Sequence, residues 1–234
     1  MKAAFTLLIA AGVSGLLGSA PADSRRAAGP PIPAGWKIDA SADGDLNGDG
    51  VTDAAVVIRQ VNAGLIVQNA GLGAQELDTN PRHLLVFAKT AQGFRQIAAA
   101  AKLIPPAGSD GNPCLADPLE EGGISIAKQV LSVKLHYWQS CGSWGVTSNT
   151  YRFKLQTGRF RLIGYDRMEF MRNSGEGEEL SVNFLTRKKS TAPFAIDDSV
   201  PKRPRWTRIK PQRFYLDTLD LDACPKIDAS TYLC

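Results

Sequence analysis

The chain has 234 residues, of which 44% are hydrophobic and 21% are charged. This composition excludes a wholly disordered or fibrous chain and predicts one globular domain of ordinary size, with or without tails. The formal net charge at neutral pH is +4, which is too small for a protein that binds nucleic acid as a whole.

The N-terminus has the pattern of a secretory signal peptide over residues 1–22. Lys2 supplies a positive start, residues 3–17 form a mainly apolar run, and Ala20 and Ala22 make a small-x-small cleavage site. The run is shorter than the roughly 20 residues that span a bilayer, so we expect no transmembrane span. Cleavage removes one of the 27 basic residues and no acid, which lowers the net charge to +3. The pattern predicts a periplasmic or secreted protein.

After the signal peptide, residues 23–35 are rich in Ala, Pro, Gly and Arg and predict a flexible leader. Residues 36–234 are assigned to a single all-β domain. The first strand is predicted at residues 54–58, and residues 84–87 form another apolar run typical of a buried strand. Hydrophobic and polar residues alternate in four further segments, residues 131–137, 151–155, 160–165 and 180–185.

Short strands at about ten-residue spacing, without long amphipathic helices between them, predict an antiparallel all-β fold. We expect a meander of about eight strands, either propeller-blade-like or a sandwich. Residues 62–80 are an insertion, expected to be partly helical near residues 73–77. Within residues 131–137, the alternation places Val133 and Leu135 on the core side and Lys134 and His136 on the other side.

The four cysteines are even in number, and in an exported chain they predict disulfide bonds. Three pairings are possible, and we favour the two local ones, Cys114 with Cys141 and Cys224 with Cys234. A structural metal site is disfavoured, because the chain has no C-x-x-C spacing.

Residues 45–53 read D-L-N-G-D-G-V-T-D and have the strongest chemical pattern in the chain. Ca²⁺ takes roughly six to eight oxygen ligands, and alternating Asp and Asn residues followed by a glycine turn can supply them. The pattern differs from an EF-hand, because Val56 stands where a Glu ligand is needed. A turn without an ion is the alternative, since the same residues favour turns. The predicted ligands are Asp45, Asn47, Asp49, the carbonyl of Val51, and Asp53.

The loop and the strand after it, D-L-N-G-D-G-V-T-D-A-A-V-V, resemble the calcium loop of an FG-GAP repeat in integrin-type β-propellers, where the same five positions bind calcium. A propeller needs several repeats, and this chain has one. Segments that begin at Asp117, Cys141, Leu162 and Ser181 resemble a family of uncharacterised exported bacterial proteins with one such loop and a small β domain. The resemblance covers residues 36–225. It implies an exported β protein with a calcium loop ahead of its first strand, and it implies no reaction.

Catalytic patterns are sparse. The sequence contains no G-x-S-x-G and no H-E-x-x-H motif. His83 lies at a strand start, and His136 has the position of a solvent-facing strand residue. Asp117, Glu120 and Glu121 can be read as the paired carboxylates of a glycoside hydrolase, but acids in a loop are usually only solvated.

Two further clusters have a functional and a structural interpretation. The aromatic residues around Cys141 can stack on a sugar or peptide, or pack around the disulfide: Tyr137, Trp138, Trp144 and Tyr151. Residues 186–213 hold nine basic and two acidic residues, a net charge of +7. Their proline-rich part near residues 200–213 is either a solvated connector or, at residues 202–213, a contact for an anionic surface.

The sequence therefore predicts an exported, disulfide-stabilised, calcium-binding protein of the bacterial envelope that binds a partner or has a structural role. The predicted cofactor is Ca²⁺, the partner is an unidentified envelope component or protein, and no enzymatic activity is expected. A periplasmic hydrolase, or an inhibitor of a secreted enzyme, is the alternative.

Overall fold

A computed structural model of the chain describes residues 29–197 and 203–234. Thirteen strands, all in antiparallel pairs, and two short 3₁₀ helices, Ala63–Leu65 and Leu216–Thr218, make up the regular structure of these ranges. The all-β prediction is confirmed, with thirteen described strands instead of about eight. The described ranges include no helix of the length and apolarity that a membrane crossing requires. The predicted signal peptide lies outside them.

The first large sheet has four strands in the order β1-β2-β5-β6. Their bounds are β1 Trp36–Gly44, β2 Asp53–Gln60, β5 Arg82–Thr90 and β6 Gly93–Ala100. The candidate calcium loop at residues 45–53 was expected ahead of the first strand, but it follows β1. The sequence of β1 is only weakly apolar, and its extended form depends on pairing with β2 from Trp36↔Gln60 to Gly44↔Asp53.

The insertion between β2 and β5 forms a two-stranded sheet of β3 Ile66–Gln68 and β4 Glu76–Asp78. The expected helix near residues 73–77 is therefore wrong. Gly73 has φ +97°, and a Cβ at this position would lie 2.2 Å from the carbonyl oxygen of Pro113. The close approach to a neighbouring loop explains why a glycine stands there.

The second large sheet is a continuous meander of seven strands. Its order is β13-β12-β11-β10-β9-β8-β7. The bounds are β7 Gly123–Ala127, β8 Val130–Trp138, β9 Gly145–Gln156, β10 Arg159–Met171, β11 Glu176–Asn183, β12 Lys188–Ala195 and β13 Arg205–Arg208. The turn between β9 and β10 uses Thr157 and Gly158, both at positive φ, as a tight hairpin requires.

The two large sheets contribute to one hydrophobic core. Val57 and Leu84 from the four-stranded sheet belong to the same buried cluster as Val133 and Tyr151 from the seven-stranded sheet. The C-terminal segment completes this core with Leu216, Leu219, Ile227 and Leu233. The Tyr151 hydroxyl donates a hydrogen bond of 2.6 Å to the carbonyl of Leu233, so this segment is tied to the centre of the seven-stranded sheet.

Two disulfides close the loops outside the sheets. Cys114 pairs with Cys141 at a Cα–Cα distance of 5.9 Å, and Cys224 pairs with Cys234 at 5.1 Å. These are the two local pairings favoured from the sequence. The first bond ties the long segment before β7 to the turn after β8.

The described part of the predicted leader is packed against the domain. The side chain of Ile32 contacts the second hydrophobic cluster, formed by Val56, Ile58, Leu85 and Phe87. The carbonyl of Gly35 accepts a 2.8 Å hydrogen bond from the Val61 N–H.

Candidate metal-binding loop and neighbouring sites

The candidate metal loop is the connection of the β1–β2 hairpin. The last pair of the hairpin, Gly44 and Asp53, holds the two ends of the loop together. Gly48 and Gly50 have φ values of +86° and +80°, which side chains rarely adopt. The glycines of the motif therefore stand where the backbone reverses direction.

Asp45 organises the first half of the loop. Its Oδ1 accepts hydrogen bonds from the N–H groups of Asn47 at 3.1 Å and Gly48 at 2.6 Å, and its Oδ2 accepts one from Gly50 at 3.0 Å. The Gly48 N–H is the largest cause that holds the pKa of Asp45 below its usual range. The carboxylate is therefore ionised at neutral pH.

Asn47 and Asp49 continue the same arrangement. Asn47 Oδ1 accepts from the Asp49 N–H at 2.9 Å, and Asp49 Oδ1 accepts from the Val51 N–H at 2.7 Å. The Asn47 amide also donates to Asp49 Oδ2 at 2.9 Å. The polar side chains thus fold back on the loop, while the Val51 side chain is exposed.

Asp53 has a different environment from the other acids. Its side chain is fully buried, Oδ1 accepts from the Lys89 N–H on β5 at 2.9 Å, and Oδ2 accepts from the Leu46 N–H at 3.0 Å. A buried carboxylate is costly unless such donors satisfy it. Asp53 therefore joins the base of the loop to the neighbouring strand.

The donor chemistry fits calcium, because all five predicted ligands are hard oxygens. An ionised carboxylate has about four acceptor sites, so the hydrogen bonds of the loop are compatible with coordination. Across residues 29–197 and 203–234, no three His, Cys, Asp or Glu side chains are grouped as a metal site. Calcium binding by this loop therefore stays a prediction.

The loop lies where the two large sheets meet. Leu46 is buried in the shared core. A Cβ on Gly48 would lie 2.9 Å from Nε2 of Gln129 in the β7–β8 turn, and one on Gly44 would lie 2.6 Å from Ile126 of β7. The conformation of the loop therefore influences how the edges of the two sheets pack.

The carboxylates considered for glycoside hydrolysis, Asp117, Glu120 and Glu121, line one small hollow with His136, but Asp117 is engaged by an arginine. Asp117 accepts hydrogen bonds of 2.6 Å from both Nη atoms of Arg82, whose side chain is 3% exposed. Arg82 also binds Asp39, which is bound in turn by Arg59. Asp117 is thus part of a structural ion network that joins the four-stranded sheet to the loop before β7.

Glu121 contacts His136 instead. Oε2 of Glu121 lies 3.3 Å from Nε2 of His136, and Nδ1 of His136 lies 2.8 Å from the Ser148 hydroxyl. Ser148 is paired with His136 across β8 and β9, and sequence reasoning missed it because the pairing of two strands is not visible in either one. His83 stacks on Trp36 with ring centroids 4.6 Å apart, and burial lowers the pKa of His83.

The aromatic residues near Cys141 separate into two environments. The ring centroids of Trp138 and Trp144 lie 4.4 and 5.7 Å from Cζ of Arg172. Arg172 also donates hydrogen bonds to the main-chain carbonyls of Gln139 and Ser143, two residues before and after Cys141. Tyr151 is in the core, and burial raises its pKa. The expected grouping of all four aromatic residues around Cys141 is therefore wrong, because Tyr151 lies in the core.

The basic C-terminal stretch is partly a strand. Arg205–Arg208 pair with β12, so the interpretation of this part as a connector is wrong. All four residues of this strand, β13, are exposed. Lys202 lies outside the described residues.

Comparisons with protein families, with curated proteins and with solved structures find no match to this chain. The functional argument therefore depends on the residues and geometry of the chain itself.

Proposed function

We propose that the chain is an exported, calcium-stabilised protein of the bacterial envelope that acts by binding a partner and not by catalysis. The observation that carries this proposal is the loop at residues 45–53, whose Asp45 carboxylate is held by three main-chain N–H donors at the junction of the two sheets. The two disulfides support an oxidising location outside the cytoplasm.

In this proposal, Ca²⁺ is held by the side chains of Asp45, Asn47, Asp49 and Asp53 and by the carbonyl of Val51. Bound calcium would offset the negative charge that Asp45, Asp49 and Asp53 bring to one short loop. The loop residues then keep Leu46 in the shared core and Gly48 against Gln129. Calcium would thus stabilise the packing of the two sheets.

The test is thermal unfolding of the mature chain with chelator and with added calcium. A ligand that binds only the folded state stabilises it by about 2.7 kcal/mol at a hundredfold excess over Kd. We expect Tm to rise with calcium, and Asp49→Ala to abolish the rise. Mg²⁺ should substitute poorly, because it requires a tighter octahedral shell.

Asp110→Ala is the matched control, since Asp110 is an exposed loop aspartate that accepts a hydrogen bond only from the neighbouring Gly111 N–H among the described residues. Its calcium response should equal that of the wild type. If metal-free wild-type protein melts at the same temperature with and without calcium, the loop is only a turn and the calcium part of the proposal fails.

A serine hydrolase is a second candidate, favoured by the contacts among Ser148, His136 and Glu121. In such a site His136 accepts the Ser148 proton, and Glu121 stabilises the resulting imidazolium. However, Ser148 lies in the middle of β9, paired on both sides with His136 and Met168. Its N–H therefore belongs to the sheet and not to an oxyanion hole, which is why binding is preferred.

A serine-reactive fluorophosphonate probe distinguishes the two candidates without knowledge of a substrate. For a binding protein, we expect folded wild type to be labelled no more than heat-denatured protein. Labelling that is lost in Ser148→Ala, but kept in the control Ser181→Ala, would replace the binding proposal with a hydrolase.

A further inference from the structure

The outer face of the seven-stranded sheet carries a long groove. One row of residues crosses six neighbouring strands on this face: Lys134, Thr150, Asp166, Ser181, Ser190 and Trp206. This row alternates with core-facing residues such as Val133 and Tyr151, which are fully buried. At about 4.8 Å between strands, the row is about 24 Å long.

Two hollows lie along this row and share Ser181 and Trp206. Their volumes are about 570 and 500 Å³. Small polar side chains line the larger hollow, among them Ser148 and Ser190. Both serines face away from the core, yet each is only 8% exposed. A sheet face with hydroxyl groups in a depression leaves room for a polar ligand above it.

The centre of the groove offers paired hydrogen-bonding groups. Asp166 accepts a 2.7 Å hydrogen bond from the Ser181 hydroxyl and forms an ion pair with Arg152. Both partners of this pair are about one-third or more exposed, at 35% and 41%. A carboxylate and a guanidinium side by side can accept from and donate to the hydroxyl groups of one ligand.

Trp206 supplies the apolar surface of the groove. It lies on β13 and is 62% exposed. Its indole presents a flat face of the kind that anchors ligands, and Trp is enriched among residues that dominate binding. Trp206 belongs to the stretch that the sequence offered as a contact for an anionic surface, but its place beside Ser190 follows only from strand pairing.

The charge next to Trp206 is positive. In the adjacent row, Lys188 pairs with Arg208, and Arg152 lies further along on the same face. Neither Lys188 nor Arg208 has a carboxylate partner within the part of the chain that the structure describes. The lining of the two hollows includes two acids, Asp166 and Glu179, against three cations, Lys134, Arg167 and Lys188. With Arg208 beside Lys188, the remaining excess of cations favours a ligand that carries negative charge.

An added peptide strand is a poor occupant for this region. The edge strand β13 has four residues, directly follows Pro204, is followed after two residues by Pro211, and carries Arg205 and Arg208. Short length, prolines and charges are the features that prevent another chain from pairing with a sheet edge.

We propose that this groove binds an acidic polysaccharide. One sugar ring stacks on Trp206, hydroxyl groups of the neighbouring rings bond to Ser181 and Asp166, and carboxylates of the polysaccharide chain face Lys188 and Arg208. The inference rests on the proposed binding role, and it is independent of the candidate calcium loop, because no residue of that loop lines either hollow.

The test measures binding of the mature chain to polygalacturonate, with dextran as the neutral comparison, by affinity electrophoresis at low and high salt. We expect retardation by polygalacturonate that weakens with salt, and none by dextran. Trp206→Ala should lower the affinity by about tenfold, and Lys188→Gln with Arg208→Gln should lower it and reduce its salt dependence.

Trp144→Ala is the matched control, because Trp144 is also an exposed tryptophan, at 50%, but lies beside Arg172. It should bind polygalacturonate like the wild type. Equal loss in the two tryptophan variants, equal binding of dextran, or no binding of polygalacturonate at low salt would overturn the inference. Because the calcium response of Tm is measured separately, failure here is distinguishable from failure of the calcium proposal.

Discussion

The two large sheets differ in how many of their faces are covered. In the four-stranded sheet, consecutive residues of β2 are buried: Val57 faces the shared core, and Val56 and Ile58 face the second cluster. In the seven-stranded sheet, Val133 is fully buried while its neighbour Lys134 is exposed. The first sheet is covered on both faces, whereas the second has one face open to a ligand.

This difference assigns separate roles to the two regions. The four-stranded sheet carries the candidate calcium loop and the Arg82 network, for which we propose a role in stability. The seven-stranded sheet carries the groove, the hydroxyl groups and Trp206, which are suited to recognition. Substitutions can test the division, since those in buried positions should change stability and those on the open face should change only binding.

The largest expected effect contrasts the two faces of β8. Val133→Asp places an unpaired charge in the core and should cost about 4 kcal/mol or more, or prevent folding. Lys134→Asp should change the free energy of unfolding by no more than about 0.5 kcal/mol. Urea denaturation measures both, and a larger effect at residue 134 would mean that the open and buried faces are reversed.

The second effect concerns the ion network of the four-stranded sheet. Asp117→Ala leaves the buried Arg82 guanidinium without its bidentate partner and should cost about 3–5 kcal/mol. Glu120→Ala, in the same loop and exposed, is the control and should be nearly silent. A loss below about 1 kcal/mol for Asp117→Ala would show that the network does not support this sheet.

The smallest effect concerns the hydrogen bonds that join the C-terminal segment to the seven-stranded sheet. Lys189 on β12 donates to Asp228 at 2.6 Å and to Thr231 at 2.8 Å. Burial raises the pKa of Asp228, but hydrogen bonds from Lys189 and the Ser230 N–H outweigh it and lower the pKa to about 2.

A carboxylate with a lowered pKa stabilises the fold above its unfolded pKa and loses this contribution as the pH falls toward the folded value. Lys189→Gln should therefore cost about 1 kcal/mol at neutral pH and reduce the loss of stability between about pH 4 and pH 2. Urea midpoints at several pH values test this. Parallel pH profiles for variant and wild type would contradict it.

The all-β class was predictable because the evidence for it is local. Alternation at residues 131–137 placed Val133 and Leu135 in the core, and both are fully buried. Residues 156–159, Q-T-G-R, are also typical of a hairpin turn, and Thr157 and Gly158 form the β9–β10 turn. Cysteines close in sequence identified the two disulfide pairs, because short loops bring their ends together readily. The motif at residues 45–53 likewise indicated a turn built from Asp, Asn and Gly.

Other features depend on which strands become neighbours, and a single segment does not contain that information. The strand β1 has too little hydrophobicity to be recognised alone, and it is extended because β2 pairs with it. Ser148 meets His136, and Trp206 meets Ser190, only through register between strands. Sequence by itself therefore determined the fold class, the turns and the buried faces. The groove was decided only by the tertiary structure, because it requires six paired strands in register to present one row of side chains on the same face.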